Sequence, residues 1–89
     1  MSAHVYILRC HDDSYYVGST RTSVEARVAE HNHGFRPGYT FNRRPVALVF
    51  SQECDRITDA IAAERRLKGW SRAKKEAVIR GEFDLLPAL

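Results

Sequence analysis

VYILRCHDDSYYVGST, residues 5–20, contains two short runs of β-branched and aromatic residues separated by a polar turn. Such runs predict strands, and the polar residues His11-Asp12-Asp13 between them are typical of a tight connection. The sequence therefore predicts a β-hairpin whose strands span residues 5–10 and 14–20.

The length of this connection decides where Tyr6 and Tyr16 point. With a three-residue turn and Asp13 left-handed, a conformation that glycine favours and aspartate tolerates, Tyr6 lies opposite Gly18 and both tyrosines share one face of the sheet. An even-length loop would put them on opposite faces, because side chains alternate along a strand. In the first case Gly18 has no side chain and leaves room beside the Tyr6 ring for a ligand.

A first helix is predicted over residues 23–32. Thr22 and Glu25 have the spacing of a capping box, in which the two side chains satisfy free amides at a helix start. Arg27 and His31 are four positions apart, so they project from one face of this helix, one turn from each other.

Residues 32–44 predict a long loop because they contain Gly34, Pro37 and Gly38 and show no clear period. The loop carries arginine and aromatic side chains but no acid, which suits phosphate contacts and base stacking as well as a solvated loop. The residues assigned to a nucleic-acid contact are Arg36, Tyr39, Arg43 and Arg44. Residues 45–51 are too apolar for an exposed edge and predict a buried strand.

A second helix is predicted over residues 58–68, and Glu64 falls within its apolar stripe. A carboxylate on the core-facing side of a helix must be paired, protonated or bound to a metal ion, because burial of a bare charge is costly. Spacing alone leaves open a salt bridge from Glu64 to Arg27 or Lys68.

The remaining helix boundaries follow from capping residues. Asp55 or Thr58 would cap the second helix, and a third helix would start after Ser71 and end at Gly81. The elements predict an α+β fold, a three-stranded, mainly antiparallel sheet flanked by helices. We expect the 89 residues to form a single domain, with a core of about residues 4–80.

Composition places the chain among ordinary globular proteins, with 44% hydrophobic and 28% charged residues and a net charge of +3. The mild positive charge favours nucleic acid as a partner without deciding it. No stretch is apolar enough to span a bilayer, and the N-terminus lacks a basic region followed by a hydrophobic one. A cytoplasmic location is the resulting expectation.

Eight residues, in a fixed order along the chain, resemble the signature of the GIY-YIG endonuclease superfamily, specifically its short, single-domain branch. They are Tyr6, Tyr16, Gly18, Arg27, His31, Asn32, Glu64 and Lys68. The family's Gly-Ile-Tyr reads His4-Val5-Tyr6 here, and its Tyr-Ile-Gly reads Tyr16-Val17-Gly18. The resemblance covers about residues 5–79.

The resemblance implies a metal-dependent endonuclease that hydrolyses nucleic-acid phosphodiesters, DNA in preference to RNA. Its catalytic residues would be Tyr6, Tyr16, Arg27, His31 and Glu64, supported by Gly18, Asn32 and Lys68. Glu64 would bind one divalent ion. A single carboxylate completed by waters and phosphate oxygens suits Mg²⁺ or Mn²⁺ better than Zn²⁺.

The individual roles follow from side-chain chemistry. Arg27 offers a planar, permanently charged fork that matches a phosphate, and His31 could relay a proton or hold a water molecule. A nearby Arg27 and a metal-bound water would lower the pKa of Tyr6, so that it could accept the proton of the nucleophile, while Tyr16 orients the phosphate or the water. The sequence does not decide which tyrosine plays which part. Two alternatives remain: a nucleic-acid-binding module of the same fold with weak or no activity, and a structural adaptor in which Glu64 is only salt-bridged.

Overall fold

A computed structural model describes residues 2–35 and 37–82. In chain order its elements are β1 (Ala3–Arg9), β2 (Tyr15–Thr20), α1 (Val24–His33), a short 3₁₀ helix (Phe41–Arg43), β3 (Ala47–Cys54), α2 (Ile57–Lys68) and α3 (Arg72–Ile79). Both strand pairs are antiparallel, in the order β2-β1-β3. The predicted α+β class is confirmed.

The hairpin has the three-residue turn on which the shared face of the tyrosines depends. Asp13 adopts a φ of 66°, and the Cys10 N–H donates to the Ser14 carbonyl at 2.8 Å. Tyr6 is therefore paired with Gly18, while Leu8 is paired with Tyr16. The odd-length register is confirmed.

One face of the sheet packs against α1. Tyr6 and Leu8 of β1 form a buried cluster there with Cys10, with Val24 at the start of α1 and with Val46 before β3. Alternation along β1 requires this, because residues two apart point to the same side.

The opposite face packs against α2 and α3. Val5, Ile7 and Val17 of the hairpin contact Leu67 of α2 and Val78 of α3. Burying a side chain such as Ile7, which is fully inaccessible, stabilises the fold by about 1.5–3 kcal/mol. β1 is thus covered on both faces and paired along both edges, as the central strand of the sheet.

The prediction of a buried third strand is wrong, because among the described residues β3 is an outer strand that pairs with β1 alone. Leu48 remains 39% exposed, although Val49 and Phe50 still pack against the core. Strand order depends on contacts that are distant in sequence, and an apolar run does not reveal it. β3 also begins and ends later than predicted, at Ala47 and Cys54.

The predicted capping box at α1 is also wrong, by one residue. The Ser23 hydroxyl accepts the Ala26 N–H at 3.1 Å and caps the helix. Thr22 instead hydrogen-bonds through its hydroxyl to Thr20 at 2.9 Å. The N-terminal cap of α1 is therefore a single serine, without the reciprocal glutamate contact.

The caps predicted for α2 are wrong, whereas those predicted for α3 are confirmed. Residue Arg56 precedes α2 without a side-chain cap, so the predicted caps Asp55 and Thr58 are both wrong. The start of α3 is as predicted, since Ser71 accepts the Lys74 N–H at 3.2 Å, and Gly81 has a left-handed φ of 74°. None of the helices in the described part of the chain is long and apolar enough to cross a membrane.

Asn32 connects α1 to the start of β3. Its side-chain oxygen accepts the Val46 N–H at 2.7 Å, and its amide donates to the Val46 carbonyl at 3.0 Å. Both ends of the long loop are thereby held together, because Asn32 replaces the strand partner that the Val46 backbone would otherwise need.

We expect Asn32→Ala to lower the free energy of unfolding by about 1–3 kcal/mol, because the Val46 amide and carbonyl would lose their partners in a buried position. Chemical denaturation measures this change. Asn42→Ala is the matched control, because Asn42 is exposed and makes no side-chain hydrogen bond with any residue that the structure describes. Equal stability of the two variants would contradict the assignment.

Candidate active site

Three aromatic side chains meet on the sheet face that α1 covers. His31 projects from α1 against both tyrosines, with ring centroids 6.3 Å from Tyr6 and 5.2 Å from Tyr16, in edge-to-face geometry. The odd-length turn predicted that the two tyrosines share a face, and the family resemblance implied that His31 joins them. The structure thus brings the two hairpin tyrosines and the helix histidine into one cluster.

A buried chain of hydrogen bonds runs through this cluster. His31 Nε2 lies 3.3 Å from Tyr6 Oη, and His31 Nδ1 lies 2.8 Å from Thr40 Oγ1. Tyr6 is 3% exposed, and His31 and Thr40 are each 2% exposed. Thr40 was not predicted, because nothing in the loop sequence distinguishes it from a solvated threonine.

Burial sets the protonation of this chain. Burial raises the pKa of Tyr6 from 10.0 to about 12, with a further contribution from Tyr16, although the Arg27 charge acts in the opposite direction. Burial, reinforced by Arg27, lowers the pKa of His31 below 6.5. Both side chains are therefore neutral near pH 7. The fall expected for the pKa of Tyr6 is not found in the protein alone, because desolvation outweighs Arg27.

Gly18 accommodates the Tyr6 ring. A Cβ atom at Gly18 would lie 2.5 Å from Tyr6 Oη, closer than non-bonded atoms can approach. The room predicted beside Gly18 is therefore occupied by the tyrosine itself and not left for a ligand. Gly18 determines where the phenol oxygen lies, and so how it meets His31.

Arg27 lies at the rim of the cluster. Its Nε donates to Thr20 Oγ1 at 2.9 Å, and its terminal Nη1 pairs with Glu30 at 3.4 Å. Thr20, which is almost fully buried, is a second contact that sequence reasoning missed. The guanidinium is held by the strand end and by its own helix, with the remaining N–H groups of the fork still able to donate.

Glu64 approaches from the other side of β2. Its carboxylate accepts the Ser19 hydroxyl at 2.5 Å and pairs with Lys68 Nζ at 2.6 Å. The salt bridge that spacing left open is therefore present, to Lys68, one turn further along α2. Burial alone would raise the pKa of Glu64, but hydrogen bonds from Lys68 and Ser19 outweigh it and hold the pKa below its usual value. The carboxylate is ionised at neutral pH.

The pair of Glu64 and Lys68 is coupled to the tyrosines through charge. Burial is the main cause of the raised pKa of Tyr6, and the Glu64 carboxylate adds to it. The hydrogen bond to Glu64 is the main cause of the raised pKa of Lys68, and Tyr16 adds to it. Ser19 follows Gly18 directly, with its side chain on the opposite face of β2. The two halves of the site are thus separated by the width of one edge strand.

The donor set around Glu64 limits which metal ion it could hold. Across residues 2–35 and 37–82, no three His, Cys, Asp or Glu side chains come together as a ready metal site. Glu64 by itself offers one ionised carboxylate, and its side chain is 19% exposed. One hard oxygen ligand with open positions fits a hydrated Mg²⁺ or Mn²⁺ and not a structural Zn²⁺. Lys68, which is half exposed, would have to turn away.

The loop arginines are engaged with aromatic rings of the loop, and Arg43 also with the hairpin turn. Arg43 lies over the Tyr39 ring, 3.9 Å from the centroid, and donates to Asp12 at 3.0 Å. Arg44 covers the Phe41 ring at 4.6 Å and donates to the Phe41 carbonyl at 2.8 Å. These contacts agree with the alternative of a solvated loop, whose aromatic side chains hold it in place. The fourth residue assigned to nucleic acid, Arg36, lies outside the described residues.

Tyr39 links the loop to the aromatic cluster. Its ring stacks on Tyr16 with centroids 6.2 Å apart and planes inclined by 26°. Tyr39 is also 42% exposed. It is therefore the one predicted nucleic-acid contact of the described loop that touches a predicted catalytic residue.

The sequence of this chain matches a known protein family and several relatives. A family profile described as the GIY-YIG catalytic domain matches residues 2–77. The UPF0213 protein of Halobacterium salinarum is 47% identical over 75 residues, which cover 84% of this chain and 96% of that protein. The UPF0213 protein of Natronomonas pharaonis is 44% identical over 79 residues, covering 89% and 92%.

Two solution NMR structures have the same fold. The UPF0213 protein of Bacillus halodurans is 38% identical, with a TM-score of 0.57 and coverage of 90% of this chain and 84% of that one. A protein of E. faecalis is 34% identical, with a TM-score of 0.62 and coverage of 93% and 88%. The sheet and helices described above are therefore those of known relatives.

We expect Gly18→Ala to displace the Tyr6 ring and break its contact with His31, because the added methyl group would overlap the phenol. Long-range ¹H–¹⁵N correlation of the His31 imidazole reports the loss as a change in the Nε2 shift. Gly69→Ala is the control, since a Cβ there meets only ordinary contacts, the nearest at 3.6 Å. An unchanged Nε2 shift in Gly18→Ala would show that the ring does not depend on this glycine.

Proposed function

Because the chain belongs to the GIY-YIG catalytic domain family, we propose that it is a metal-dependent endonuclease that hydrolyses phosphodiesters of nucleic acid, DNA in preference to RNA. The observation that carries the proposal is the buried Tyr6–His31 pair, with Arg27 at its rim and an ionised Glu64 close enough to act on Tyr6. Hydrolysis of a phosphodiester needs a proton acceptor, a cation and a hard ligand, and these side chains supply them.

Because its pKa is raised, Tyr6 is protonated at neutral pH. It can therefore accept a proton only if it gives up its own hydrogen at the same time. In the mechanism proposed here, Tyr6 Oη takes a proton from the attacking water as its own hydrogen moves to His31 Nε2. The water oxygen bonds to phosphorus, and the leaving oxygen departs with the electron pair of the broken bond. The site then holds a neutral tyrosine and an imidazolium, whose extra proton balances the negative charge on the leaving oxygen until water protonates that oxygen and His31 releases its proton. Neutral His31, with its lowered pKa, is in the required form at pH 7.

The two tyrosines differ in exposure, which divides their roles. Tyr6 is buried and hydrogen-bonded to His31, so it is the one suited to exchanging a proton. Tyr16 is only half-buried and stacks on the exposed Tyr39, so it is the one suited to orienting a phosphate or a water molecule. This assignment depends on hydrogen bonding that sequence could not provide.

Arg27 and Glu64 would hold the charged groups. Thr20 and Glu30 fix the Arg27 guanidinium, whose free N–H groups can contact two phosphate oxygens. Glu64 would hold a single Mg²⁺ or Mn²⁺ after Lys68 turns away. A bound divalent ion supplies positive charge for the phosphate and leaving oxygens. Ser19 orients the Glu64 carboxylate by donating to one of its oxygens.

The nucleic acid would lie across the rim between the loop and α2. Tyr39 offers an exposed ring for base stacking, while Arg43 and Arg44 shape the loop and keep further N–H groups for phosphates. On the other side, Arg65 lies next to Glu64 and contributes to lowering its pKa. Its guanidinium makes no ion pair with any residue in the described ranges.

A catalytically weak nucleic-acid-binding module is the second candidate. The observation that favours it is the Glu64–Lys68 contact, because an ammonium group 2.6 Å away competes with any metal ion for the carboxylate. The two functions differ in a nicking assay with titrated Mg²⁺. Cleavage supports the endonuclease, and salt-dependent binding without cleavage supports the module.

We expect Glu64→Gln to abolish divalent-ion binding and cleavage while the fold persists, because the amide keeps the shape but loses the charge that a cation requires. Isothermal titration with Mn²⁺ and a nicking assay at matched Mg²⁺ measure both effects. Glu25→Gln is the control, since Glu25 is exposed on α1. Wild-type cleavage by Glu64→Gln would place the metal ion elsewhere or remove it from the mechanism.

We expect Arg27→Lys to reduce the cleavage rate about a hundredfold or more, the scale of losing one preorganised donor, while binding changes little. Lysine keeps the charge that attracts phosphate but lacks the planar fork. Single-turnover rates and binding constants separate the two effects, with Arg80→Lys as the exposed control. Equal losses in rate and affinity would make Arg27 a docking residue.

A further inference from the structure

We propose that Thr40 is a positioning residue for His31: its hydroxyl oxygen accepts the Nδ1 hydrogen of the imidazole and thereby keeps Nε2 free to accept the hydrogen of Tyr6. This inference rests on the function proposed above only for its catalytic consequence. The hydrogen-bonding assignment itself stands on the geometry of three buried side chains.

The tautomer of His31 follows from its two neighbours. Tyr6 carries its hydrogen at neutral pH, and within the described part of the chain the one hydrogen-bond partner of its hydroxyl is His31 Nε2, at 3.3 Å. A neutral imidazole that accepts at Nε2 must carry its hydrogen at Nδ1. That hydrogen needs an acceptor in a buried position, and Thr40 Oγ1 lies 2.8 Å away. The hydroxyl of Tyr6 and the Nδ1–H of His31 then each have one acceptor.

The loop delivers Thr40 to this position and the hairpin turn holds the loop. The Thr40 carbonyl accepts the Arg43 N–H at 3.0 Å, and the Arg43 carbonyl accepts the His11 N–H at 2.9 Å. The Arg43 guanidinium in addition pairs with Asp12 of the same turn. Thr40 is therefore fixed through its backbone, so its hydroxyl can fix the imidazole.

The groups that face His31 favour its neutral form. Tyr6 and Tyr16 come from the two strands of the hairpin, and Thr40 comes from the loop. From α1 itself, the Arg27 charge lowers the pKa of His31 and the Glu30 charge raises it. Burial and Arg27 together lower the pKa of His31 more than Glu30 raises it, so the imidazole stays neutral. Its tautomer then decides which nitrogen can act as a base.

The test compares Thr40→Val, which removes the hydroxyl but keeps the shape, with Thr40→Ser, which keeps the hydroxyl. Long-range ¹H–¹⁵N correlation identifies the protonated nitrogen of His31 in each full-length variant, and it needs no activity. Thr58→Val is the matched control, because Thr58 is exposed on α2. Steady-state cleavage of a DNA substrate with Mg²⁺ supplies kcat and KM.

We expect wild type, Thr40→Ser and Thr58→Val to show Nδ1–H, and Thr40→Val to lose this preference. In cleavage, kcat of Thr40→Val should fall about tenfold to a hundredfold, the usual scale for removing a group that orients a functional histidine, with KM unchanged. Thr40→Ser should restore kcat. Nδ1–H retained in Thr40→Val, or Nε2–H in wild type, would overturn the proposal.

These readouts also separate this inference from the proposed function. If wild type does not cleave but Thr40→Val alone changes the tautomer, the nuclease proposal fails and the role of Thr40 stands. If wild type cleaves and Thr40→Val cleaves equally well with an unchanged tautomer, the role of Thr40 fails and the nuclease proposal stands. If Thr40→Val does not fold, the test relies on Thr40→Ser and on the tautomer of wild type. An Nε2–H tautomer in wild type would contradict the assignment.

Discussion

The number of residues in the first turn is the constraint on which the rest of the site depends. Asp13 accepts a left-handed conformation, so the turn closes with three residues and Tyr6 and Tyr16 fall on the same face. Only on that face can His31 of α1 contact both rings. The same register places Gly18 opposite Tyr6, where the missing side chain admits the phenol. A local backbone choice therefore assembles residues from two strands and a helix.

Burial then determines the chemistry of what the turn brings together. Tyr6 and His31 are removed from water, and burial disfavours the charged form of each side chain. A buried polar pair is tolerated when its donors find acceptors, and Thr40 supplies the acceptor for the Nδ1–H of His31. Glu64 is in the opposite situation, because two hydrogen bonds keep it ionised although it is partly buried. The site thus combines neutral proton carriers with one fixed negative charge.

Sequence predicted the parts of the molecule that depend on local spacing. The turn around Asp13 and the shared helix face of Arg27 and His31 follow from short-range periodicity. The place of β3 at the edge could not be predicted, because strand order is set by packing between distant segments. The same holds for Thr40 and Ser19, which are ordinary hydroxyl residues until a loop or a helix closes over them.

The edge position of β3 bears on how copies of the protein behave toward each other. An outer strand presents backbone amides and carbonyls along its free side, and here the apolar Leu48 lies beside them. Such an edge is a template to which a further extended chain can add. Glu53, which is exposed near the end of the strand, places a charge there that opposes the approach of an identical strand. Association of copies along β3 would therefore take place on the outer strand opposite β2, whose Thr20 and Ser19 contact Arg27 and Glu64.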